Sequence, residues 1–458
     1  MKSPDKRVFF RVSVAAVGLV ALLAISFIVW RVNLAHDVNA KLQAIRAAGL
    51  PTSGAELNAY YHAVPDNENA ALVMTQAFAL MRNYPDSRSN EIDQIQSFPE
   101  RWQHPTNEQI QLLTGYVEMN SNALAKMVEA LKLPKSRYPI DLSPGFDALL
   151  PHLAKLRHLA ITTEFKGLLS LNAGHPTDAD VSIENILGIA RTLDDEPSDM
   201  SWVVRVRTIM MASMMLERRL NASSGSDLEL AELASMFAAA GNTNLFARTH
   251  IGVRANAIPY FGMTWTEING LTKTGTRREE LANELSLPAW QRILFPVTSI
   301  FERDLRYFLG AMETDIALTR LPPPRNLIAK DELTKAIEEA ARHHYHLSVM
   351  FLQFPAGFSL EAECSAHVCL ATTALAIERF RLAHGRLPEN LNELVPQFLS
   401  AVPSDPFDGQ PLRYPRLAKG YVIYSIGRDG HDDGGQKKPA DWRPSDKTTY
   451  DVTFTVER

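Results

Sequence analysis

Asp429, Asp432 and Asp433 set three carboxylates within five positions of the run YVIYSIGRDGHDDGG, among four glycines. Carboxylates that close repel one another unless a cation neutralises them, and calcium takes about six to eight oxygens from carboxylates and backbone carbonyls. Glycines permit the tight turns that would aim those carbonyls inward. The spacing is not that of an EF-hand, because counting from Asp429 puts His431 third and Ala440 twelfth, where a bidentate Glu is needed. A solvated polar loop is the plainer alternative, and Lys437 and Lys438 work against a cation.

Other residues could do chemistry. His343 and His346 would share a helix face and could hold zinc in an extracytoplasmic metal-dependent hydrolase. No H-E-x-x-H occurs and no carboxylate stands in phase as a base, so an exposed helix face is the simpler reading. Cys364 and Cys369 would lie about 140° apart around a helix, poor geometry for a disulfide. They read as buried free thiols, with His367 between them as a core histidine. Asp194, Asp195 and Glu196, with Asp199 behind, read as a solvated helix start. The run IMMASMML, 209–216, reads as core packing before an adaptable binding stripe. No G-x-S-x-G elbow, P-loop or dinucleotide fingerprint appears, so no enzymatic activity is expected. A net charge of −5 gives no basic field for nucleic acid, which is set aside as a partner.

The elements that must position these residues begin with a membrane anchor. Residues 12–30, opening at Val12 and closing on Trp30, carry no charge. Their length is close to the ~20 residues that cross a hydrocarbon layer as a helix. The run is long for a signal peptide and lacks a small-x-small cleavage pattern, so a retained single-pass anchor in the lipid bilayer is expected. Lys2, Lys6, Arg7 and Arg11 precede it, which puts the N-terminus in the cytoplasm and the bulk of the chain in the periplasm of a bacterial inner membrane. The helix continues past residue 34 as a stem that should stand off the membrane, until the turn residues at 49–54.

At 458 residues more than one domain is expected. The division is a tail and anchor at 1–33, an extracytoplasmic α-helical domain at 34–357 and a smaller domain at 358–458. Apolar residues recur at helical spacing over 55–62, 68–83, 107–131, 146–173, 177–193, 200–220, 228–239, 288–318, 330–354 and 360–382. At 167–193, Gly174 closes one helix and Pro176 opens the next, the logic of a helical hairpin. No 34-residue period repeats it, so the fold class is mainly α: an array of antiparallel hairpins, solenoid- or bundle-like. Residues 260–278 read as an exposed loop. Turn pairs at Asp408-Gly409 and Lys419-Gly420, with strict alternation at 450–456, add a small α+β domain with a three- or four-stranded antiparallel sheet.

The run ALAIERFRLAHGRLPENLNELVPQFLSAVPSDPFDGQPLRY, followed by GYVIYSIGRDGHDDGG and a closing strand, resembles the C-terminal domain of type II secretion major pseudopilins. The resemblance covers about residues 371–458. It implies a calcium site in which Asp429 falls on the motif aspartate and Ile426 on the carbonyl donor, with Asp432, Asp433 and Asp451 as further acidic ligands. It does not extend to the anchor, which carries no acidic residue and lies far from the matching region. The expected function is a membrane-anchored extracytoplasmic scaffold or interaction protein with a protein partner. A component of a type II secretion-like or pilus-like assembly is the alternative.

Overall fold

The first helix, α1 (Lys6–Ala47), runs unbroken for 42 residues. That is about 63 Å at the usual rise. The computed structural model in which it is seen describes residues 6–83, 105–241, 244–263, 300–341, 346–352, 355–439 and 449–458. The apolar stretch of α1 has a mean hydropathy of 2.7 with none of it buried, so it is long and apolar enough to cross a membrane. The stem differs from expectation, because it does not stand free. Leu34 and Val38 are 3% and 6% exposed, and Leu42 and Ile45 pack beside them. That spacing keeps the four on one face, which lies against a later helix, α11 (Ile300–Leu318).

Between these two come short α2 (Gly54–Tyr60) and α3 (Ala70–Leu80), then α4 (Asn107–Met119) and α5 (Ser121–Leu131). The expected single helix at 107–131 is broken at Asn120. Its side chain is clamped by the backbone of Arg82, accepting from N at 2.9 Å and donating to O at 3.1 Å. Next, α6 (Pro151–Asn172), α7 (Pro176–Arg191) and α8 (Asp199–Ala222) fold back on one another as hairpins, with α9 (Asp227–Gly241) against α7. Asp180 of α7 forks onto Arg219 of α8 at 2.6 and 2.7 Å, both side chains being buried.

One helix was not expected, α10 (Leu245–Ala257). It buries Thr249, His250 and Arg254 along with its apolar residues, so polar groups fall where the periodicity of a core helix should be apolar. Gly252 shows how close its neighbour comes: a Cβ there would lie 2.2 Å from the carbonyl oxygen of Pro197. After α11 come α12 (Arg325–Ala341), α13 (His346–Leu352) and α14 (Pro355–His384). The loop expected at 260–278 falls outside the described residues from 264 onward.

Helix α14 lies against α8, α9 and α12 and also against both strands, β1 (Tyr421–Ser425) and β2 (Val452–Val456). One apolar cluster therefore runs from Phe165 and Ile209, through Leu370, Ala374 and Ile377, to Ile423 and Phe454. The strands pair antiparallel, Ile423 opposite Phe454. Among the described residues the sheet has two strands where three or four were expected. Arg413 and Arg416 meet β1 only at isolated bridges, since the intervening Pro415 has no N–H for a continuous ladder. Gly420, at φ +98°, turns into β1 where a Cβ would lie 1.8 Å from the carbonyl oxygen of Val456. Side chains of α8 also hold β2: Glu217 accepts from Thr455 N at 2.6 Å and Asn221 donates to Thr455 O at 2.8 Å.

Asp304 of α11 performs a comparable task for α13. Its buried carboxylate accepts from the amides of Leu347 at 2.8 Å and Ser348 at 3.1 Å, satisfying donors that a helix start leaves open. Asp304→Ala is expected to cost about 1–3 kcal/mol, because those amides lose their acceptor inside the fold. Equilibrium denaturation checks this; an unchanged midpoint would contradict it.

Candidate functional site

The aspartate loop is positioned by the turn that precedes β1. Asp405, fully buried, accepts from Ser425 Oγ at 2.7 Å, Ile426 N at 2.9 Å, Phe407 N at 3.0 Å and Arg413 Nη1 at 2.6 Å. Arg413 also bonds Asp408 and stands 3.6 Å from Asp432. One guanidinium thus faces three carboxylates. Asp408, then Asp405 and Asp432, hold its proton above the ordinary arginine range.

The five residues expected to hold calcium are divided by this arrangement. Asp429 is exposed and its carboxylate accepts from His431 N at 3.1 Å, as in an Asx turn. Ile426 is tied to Asp405, and Asp432 to Arg413 and the Tyr424 hydroxyl at 3.0 Å. Asp433 and Asp451 are brought together: Asp433 N donates to Asp451 Oδ1 at 3.4 Å, and Gly435 N to Asp451 Oδ2 at 2.7 Å. Thr449 donates to Asp433 Oδ1 at 2.6 Å, while Asp433 Oδ2 is buried with no hydrogen-bond partner among the described residues. Among those residues no group of three His, Cys, Asp or Glu side chains could hold a metal. An orphaned buried carboxylate oxygen fits a cation; the donors beside it fall short of a full set.

His343 lies outside the described residues, as does the side chain of His346, so the zinc pair has no described geometry. Cys364 and Cys369 are free thiols. Burial pushes Cys364 well above the ordinary thiol range and Cys369 to about 11, and it lowers His367 to about 4. All three stay neutral at physiological pH. Of the methionine stripe, Met210 and Met215 are buried and Met214 is 49% exposed.

The acidic run at 194–196 is not a solvated helix start. Asp194 pairs with Arg205 at 2.6 Å and Asp195 with Arg248 at 3.3 Å. Glu196 is 0% exposed, bonded to His152 Nε2 at 2.9 Å, Ser201 Oγ at 2.5 Å and the Tyr61 hydroxyl at 3.4 Å. The serine and the imidazole both bond the glutamate, so the imidazole is not placed as a base toward the serine. A second buried set joins His250 and Lys330 to Asp315, each at 2.7 Å. Burial raises the Asp315 carboxyl, but His250 and Lys330 outweigh it and hold it low. These sets tie helices together, and sequence reading missed them because their partners lie far apart in the chain.

A surface feature was also missed. Three adjoining hollows of about 310, 250 and 370 Å³ follow one another along α5. The first opens at Leu80, Arg82 and Asn122, and the second at Leu124, Ala125 and Lys166. The third lies between Leu131, Gly188, Arg191 and Ala239. Ser121 and Glu118 join the first two, Val128 and Asn185 the second and third. Arg191 donates to Leu131 O at 2.6 Å and Arg205 to Ala240 O at 2.8 Å, capping two helix ends at the far end of the groove.

Arg413→Ala leaves Asp405 buried beside no cation, an expected loss of about 3–5 kcal/mol; Arg413→Lys recovers only part, lacking the fork. Denaturation of both variants tests this, and equal stability of Arg413→Ala and wild type would contradict it. A pH dependence follows from Asp451. Burial raises its carboxyl, the Gly435 and Asp433 amides oppose this, and the Asp433 and Asp432 charges add to the rise. Its stability contribution is present below the ordinary carboxylate range and is lost as pH rises through the raised value. Asp451→Asn should flatten the decline in melting temperature above that range, and an unaltered slope would refute this.

Compared with protein-family models, with curated proteins and with solved structures, the chain has no match in any of the three.

Proposed function

We propose that this chain is a single-pass scaffold of a bacterial inner membrane. The apolar part of α1 is its retained anchor, its N-terminus is cytoplasmic and its helical body is periplasmic. There the body holds an extended segment of a partner protein in the groove along α5. The observation that carries this reading is the continuity of the three hollows. Helix α5 has 11 residues, about 16 Å, a distance that an extended chain covers with about five residues. Apolar side chains along the floor would take alternate residues of such a segment. The Asn122 and Asn185 amides offer both donor and acceptor to a backbone, and charges of both signs stand at the rim.

A photo-crosslinking residue in place of the exposed Ala125 tests the groove in intact cells. A discrete adduct is expected at this position and none at the exposed Lys419, and Ala239→Trp, which fills the third hollow, should diminish the adduct severalfold. Adducts from both positions alike, or from neither, would contradict the reading.

A second reading concerns the loop. It rests on the pseudopilin resemblance and on the buried oxygen of Asp433, and it gives Asp433 and Asp451 a calcium ion that neutralises their repulsion. Calcium at millimolar concentration would then raise the melting temperature and chelator would lower it. No response in wild type would remove calcium from the account and leave Arg413 as the loop's cation.

A further inference from the structure

We propose that the folded body sits flush on the bilayer, with the amino end of α11 in the lipid headgroup layer. This rests on the reading of α1 as a retained span. The helix has neither Gly nor Pro between Trp30 and Ala47, so no hinge separates the apolar stretch from the part that packs on α11. Three ion pairs give the direction of packing: Arg31 with Glu302 at 3.9 Å, Asp37 with Arg306 at 3.3 Å and Lys41 with Glu313 at 3.9 Å. Partners advance together along both helices, so α1 and α11 run parallel and the amino end of α11 is the end nearest the lipid.

Such exposed pairs are weak, being solvated and screened, and serve here to mark register. Burial of the apolar side chains of Leu34 and Val38 provides the adhesion. Glu302 stands level with Arg31, one residue past Trp30, whose ring packs with Phe27 at 5.7 Å. A tryptophan closing an apolar span lies at the hydrocarbon edge, and the headgroup layer extends about 5–8 Å beyond it. At about 1.5 Å per residue, the first turn of α11 falls inside that layer. Asp304, in the next turn, holds the start of α13, so a second helix end lies close to the same plane.

The test uses the full chain in phosphatidylcholine–phosphatidylglycerol nanodiscs, with Cys364 and Cys369 changed to alanine and one nitroxide placed at Leu22→Cys, Glu302→Cys or Lys419→Cys. The ratio of oxygen to water-soluble nickel collisions reports depth. It should be highest at 22, intermediate at 302 and lowest at 419, with the 302 value severalfold above that at 419. Leu34→Glu with Val38→Glu should unseat α11 and bring 302 down to the value at 419. A 302 label as aqueous as 419 in the otherwise wild-type chain, with 22 still in lipid, would overturn flush seating while sparing the anchor. An aqueous label at 22 would overturn the anchor, and the seating with it.

Discussion

Helix α14 is apolar around most of its circumference, and a helix of that kind has to be covered on every side or lie in lipid. The stretch Leu347–His384, which contains it, reaches a mean hydropathy of 1.2 with 67% of its most apolar window buried. The cover comes from two kinds of structure. Helices α8, α9 and α12 take one part of its surface and the two short strands take another. An isolated pair of strands is marginal in water, so β1 and β2 need α14 as much as it needs them. Glu217 and Asn221 of α8 then bond the backbone of β2, and Arg458 donates to Leu220 O at 2.5 Å.

Charge inside the fold is arranged by the same logic. Asp180 with Arg219 and Asp315 with Lys330 join residues on different helices, and Glu196, in the turn after α7, joins His152 of α6; in each an unmatched partner would leave a buried charge. Such pairs add little net stability over apolar packing. Removing one partner is the costly change, because the other is left buried and unmatched. Arg413 is the corresponding match for Asp405, Asp408 and Asp432 in the turn before β1.

Much of the helical array was legible in the sequence, because Gly174 and Pro176, or the run of α14, carry local signals that tertiary packing does not override. What escaped shares one cause. Helix α10 hides its periodicity behind buried His250 and Arg254, and Glu196 looks like a solvent charge until His152, Ser201 and Tyr61 surround it. The break at Asn120 depends on the backbone of Arg82, and the docking of the stem depends on α11, remote in sequence. Of the loop residues, local spacing singled out a cluster of aspartates. It could not reveal that Arg413 takes Asp432 while Asp433 stands with Asp451. The groove along α5 was illegible for the same reason, being formed by helices whose contacts only the fold defines.

The strands and the helical body share one core around α14. Hydrogen exchange on the full chain in nanodiscs can tell a shared core from two separate ones. If the core is shared, amides of β1, β2, α8 and the middle of α14 exchange together at one slow rate set by global unfolding. Strand amides exchanging orders of magnitude faster than those of α8 and α14 would contradict it, since the sheet would then open by itself.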